Sequence, residues 1–90
     1  MDQDRKWSAV ARQIFEKMMR TGPPESFRES AERAVGKEAE KNAFRRESAE
    51  VEIEDLVRAC LSETPEPFQQ RMREDLRRLG IDPNEYGPNE

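Results

Sequence analysis

Four acids fall between positions 50 and 55, namely Glu50, Glu52, Glu54 and Asp55, and oxygen clusters of that density are what a hard divalent cation takes as ligands. The competing account is a helix start, where acids gain from the positive end of the helix dipole and stay in water. That account is preferred here. Cys60 is the single thiol, and a thiolate can act as a nucleophile. Its place between Val57 and Leu61 on an apolar stripe instead makes it a small core residue. Histidine is absent, which removes the usual general base, the Ser-His-Asp and Cys-His pairs and the commonest metal ligand. One thiol cannot build a zinc or iron–sulfur site, the Glu-x-x-His of di-iron bundles cannot be written, and no GxGxxG or GxxxxGK[ST] loop occurs. These residues imply no cofactor, no metal and no catalytic group.

A second cluster, Arg71, Arg73, Arg77 and Arg78, carries guanidinium forks that match carboxylate and phosphate. Glu66, Glu74 and Asp75 lie among them, so the cluster reads as a mixed solvated face. The whole chain repeats that balance. Sixteen Lys and Arg against twenty Asp and Glu give a net charge of −4, interleaved along the chain, which offers no broad positive field and disfavours nucleic acid as a partner. Charges recur too often for a membrane span, and the start MDQDRKW lacks the apolar core of a signal peptide. With one unpaired cysteine, a reducing, cytoplasmic setting is expected.

Ninety residues suit one domain. Apolar residues are 33% and charged residues 40%, a balance that suggests disorder when the apolar residues are scattered. Here they follow helical stripes. Trp7, Val10, Ala11, Ile14, Phe15 and Met18 predict a first helix from about Asp4 or Arg5 to Arg20, with Asp4 as its cap. Met18 and Met19 could face a planar cofactor or a partner groove, but core packing is the default. Thr21-Gly22-Pro23-Pro24 stops the helix, with glycine expected in the left-handed position. A long central helix follows, on which Phe27, Ala31, Val35, Ala39 and Ala43 form an i, i+4 row beside Ala34 and Phe44. Its alanines invite close approach by another helix. Glu29 with Arg33 and Arg28 with Glu32 have ion-pair spacing, and Gly36 is the weak point where a bend or break is expected if there is one.

The apolar period lapses from Arg46 to Glu50, so a turn is placed there. Ile53, Leu56, Val57, Cys60 and Leu61 predict a third helix, ended by Thr64-Pro65. A fourth carries Phe68, Met72, Leu76 and Leu79 on one face and closes at Gly80, with Ile81 folding back on Leu76. The expectation is therefore an all-α fold, a small bundle of about four helices. Residues 1–81 form the domain, and residues 82–90 give a short turn from Asp82-Pro83 to Tyr86 and a frayed tail.

Across residues 7–59 the chain resembles the PCP-reductase-like family, the small domain at the C-terminal end of the B subunit of light-independent protochlorophyllide reductase. The resemblance is carried by Trp7, Pro24, Phe27-Arg28, the E-x-x-A of Glu40 to Ala43, and the closing stretch Glu50-Val51-Glu52-Ile53-Glu54-Asp55-Leu56-Val57-Arg58-Ala59. This chain has Glu52 where the family has a capping threonine, and no glycine in the turn before it. The resemblance implies an accessory module, since the reductase's iron–sulfur ligands and most of its tetrapyrrole pocket belong to other domains. A short–long–short order of helices with V-x-I-x-D before the third also resembles a histone-type fold, which implies dimers that cross long helices.

The leading expectation is a non-catalytic helical accessory or protein-interaction module, with a protein partner or a second copy covering Ala31, Val35, Ala39, Ala43 and Phe44. The alternative is a tetrapyrrole or other planar-ligand binder, in which Trp7, Phe15, Met18 and Phe27 supply apolar contact and Arg28 meets a propionate. A nucleic-acid-associated protein using the fourth-helix arginines is the third.

Overall fold

The structure, a computed structural model, describes residues 6–86. The expected cap Asp4 and the tail from Gly87 lie outside the described residues. The chain opens on a short strand, β1 (Lys6–Trp7), and Ser8 then caps α1 (Ala9–Thr21) by accepting from the Ala11 amide at 3.1 Å. Trp7 thus precedes the first helix, although its spacing had placed it on that helix.

Gly22 ends α1 with φ −84°, which is right-handed, so the expectation of a left-handed glycine fails. Close approach is what requires glycine there, because an added Cβ would lie 2.8 Å from the Met18 carbonyl oxygen. After Pro23 and Pro24, α2 (Glu25–Arg45) runs unbroken through Gly36, against which the ring of Phe15 rests. The expected Glu29–Arg33 pair is present at 4.0 Å between exposed side chains.

Two further residues, Glu50–Val51, form β2, which pairs in parallel with β1 so that Lys6 faces Glu50 and Trp7 faces Val51. The Ser8 amide extends the ladder to the Val51 carbonyl at 3.0 Å. Next comes α3 (Ile53–Glu63), whose Asp55, Leu56, Val57, Ala59, Cys60 and Leu61 are all buried. It is the centre of the domain. Val35, Ala39 and Ala43 of α2 and Met18 and Met19 of α1 belong to the same apolar cluster as these α3 residues. The small alanine side chains let α3 lie close to α2.

Gln69 satisfies the end of α3 by donating to the Leu61 and Thr64 carbonyls at 2.6 and 2.8 Å. Pro65 and Pro67, two residues apart, allow only a 3-10 turn at Glu66–Phe68 before α4 (Gln69–Arg78) begins. Phe68 therefore stands 60% exposed instead of joining Met72, Leu76 and Leu79 at the core. At the other end of α4, Gly80 has φ +84°, the Gly80 amide donates to Arg77 at 2.9 Å, and the Ile81 amide donates to Leu76 at 3.0 Å, the expected Schellman end. A last 3-10 turn, Pro83–Tyr86, returns to the core, with Pro83 buried and Tyr86 packed against the cluster. Four helices around one apolar cluster make this an all-α bundle, trimmed by a two-residue parallel ladder.

Candidate functional site

The acids at the start of α3 do not all stay in water. Asp55 is fully buried, and its carboxylate reaches back to the Glu52 amide at 2.9 Å, the acidic half of a capping box. In the other half the Glu52 side chain accepts from the Asp55 amide, the bond that the missing threonine would have made. Across the turn, Arg46 closes a fork on the same group, Nε to Oδ1 at 2.9 Å and Nη2 to Oδ2 at 2.6 Å. Glu54 lies 3.1 Å from the same Nε and 3.5 Å from Arg58. Asn42 donates to the Asp55 carbonyl at 3.1 Å. The hydrogen bond to Asp55, reinforced by the charges of Asp55, Glu54 and Glu52, raises the Arg46 pKa above its ordinary value against the opposing effect of burial. The arrangement ties α2 to α3 and fixes both charges. It leaves Asp55 neither solvated, as the helix-start reading had it, nor open to a cation. Among the described residues, no group of three or more histidine, cysteine or carboxylate side chains is placed to hold a metal ion.

How α2 ends is part of this geometry. The Glu47 amide donates to Phe44 and the Ser48 amide to Ala43, each at 2.9 Å, with Glu47 at φ 62°. This is the same end that Gly80 gives α4, made with a side chain in the left-handed region. An open depression beside it is lined by Phe44, Arg45, Glu47, Ser48 and Ala49. Sequence reasoning placed a turn from Arg46 to Glu50 but missed its left-handed Glu47 and the Arg46–Asp55 fork. Arg46 shows no helical spacing to Asp55, and Glu47 carries no turn signature.

Cys60 is fully buried, with Sγ 3.8 Å from the Met18 sulfur. Burial pushes the thiol up to about 12, so it stays protonated at neutral pH.

The residues put forward for a planar ligand do not all converge. Trp7 stacks on Phe15 with ring centroids 4.9 Å apart, and its indole N–H donates to Glu40 at 3.1 Å. Met18 is in the core. Phe27, 62% exposed, lies thirteen positions before Glu40 on α2, about 20 Å along the helix axis. Arg28 is spent locally, because its guanidinium donates to the carbonyls of Arg20 at 3.1 Å and Pro23 at 3.4 Å and so braces the α1–α2 corner.

Of the residues offered for a partner, Val35, Ala39 and Ala43 are covered by this chain itself and Ala31 is half-buried. Phe44 stands 67% exposed. On α4, Arg71 and Arg78 lie 4.0 and 3.1 Å from Asp75.

Neither protein-family models, nor curated proteins, nor solved structures give a match to this chain. Of the residues that carry the reductase resemblance, Phe27 is exposed, whereas Trp7, Arg28, Ala43 and Asp55 have structural roles in this fold. Trp7 pairs with Val51 and bonds Glu40, Arg28 holds the corner, Ala43 is core, and Asp55 caps α3 while gripping Arg46. No helix is long and apolar enough to cross a membrane among the described residues.

Proposed function

We propose that this protein is a non-catalytic helical interaction module working in the cytoplasm, an accessory domain of the kind the PCP-reductase-like resemblance describes. One observation carries the reading: the thiol of Cys60 and the carboxylate of Asp55 are buried, while three of the four phenylalanines stand in solvent. The Cys60 thiol is sealed and protonated, and the Asp55 carboxylate is held by Arg46 and a backbone amide. Phe27, Phe44 and Phe68, three of the four phenylalanines, are at least 60% exposed, as Val10 is at 53%. Phenylalanine is among the residues most often buried, and aromatic side chains are enriched at protein interfaces.

Native mass spectrometry of the protein purified from its source tests the proposal. The expected species exceeds the 10.5 kDa of the single chain and reverts toward it when Phe27→Ser and Phe68→Ser are combined. A monomer at every concentration, with no bound protein, overturns it.

A further inference from the structure

We draw no further inference here: the strongest candidate, the exposed apolar side chains Val10 on α1, Phe27 at the start of α2 and Phe68 ahead of α4, belongs to the surface already described, and nothing in the structure shows what covers it.

Discussion

Removing the Arg46 guanidinium would strand the Asp55 carboxylate inside the domain with only the Glu52 amide for company. Breaking a fully buried pair costs about 3–5 kcal/mol. Arg46 keeps 32% of its side chain in solvent, so Arg46→Ala is expected to cost about 2–3 kcal/mol. Arg46→Lys should recover part of the loss, since it restores the charge without the fork. Urea unfolding followed by circular dichroism measures both, and equal losses would show that charge alone recovers nothing and that the whole contribution lies in the fork.

Cys60 makes a prediction about pH. Its ordinary value of 9.0 rises to about 12 on folding, so the folded state holds the proton more tightly than the unfolded one. The resulting stability is fully present below about pH 9 and is lost as pH climbs toward 12, at no more than about 1.4 kcal/mol per pH unit for one proton. Cys60→Ala, less stable throughout because of lost packing, should lack that slope between pH 8.5 and 10.5. A parallel decline in both proteins would assign it to other groups.

At the level of elements, α2 and α4 end in the same hydrogen-bonded turn with different residues in the left-handed position, Glu47 and Gly80. Glycine adopts that conformation without steric cost. Glu47→Gly is therefore expected to stabilise the protein by about 1 kcal/mol and Gly80→Ala to destabilise it by about as much. Nothing lies within 4 Å of a Cβ built on Gly80, so that loss comes from the backbone alone. Opposite shifts in Tm of about 4–8 °C should separate the two variants, and shifts of the same sign would break the equivalence.

The two turns also mark how much of the architecture could be read from the residues. Gly80 announced the end of α4 and the fold-back of Ile81, and the apolar stripes found all four helices. Glu47 announced nothing, so the end of α2 appeared only as a lapse in period. β1 was hidden because Trp7 stands three and four residues before Val10 and Ala11, a spacing that suits a helix, and a two-residue strand is too short to show alternation. Asp55 was misjudged for a related reason. An acid at a helix start is ordinarily solvated, and its burial depends on an arginine brought across a turn by tertiary packing.

For the molecule as a whole, α3 is the core and the surface phenylalanines are separate from it. Phe27→Ser and Phe68→Ser should each leave the unfolding free energy within about 0.5 kcal/mol of the parent, since neither side chain belongs to the apolar cluster. Loss of association without loss of stability is the signature expected of an interface residue. A variant that unfolds would instead place that ring in the fold.

The parallel ladder between β1 and β2 bears on how a newly made chain acquires its shape. Lys6 and Trp7 find their partners only at Glu50 and Val51, and Met18 meets Cys60 later still. During synthesis, the first helix meets only part of its surroundings when the second emerges, through Phe15 against Gly36 and the Arg28 brace at their corner. Its ladder to Val51 and its seat against Cys60 can form only after the third has followed it out of the exit tunnel, so the bundle closes late.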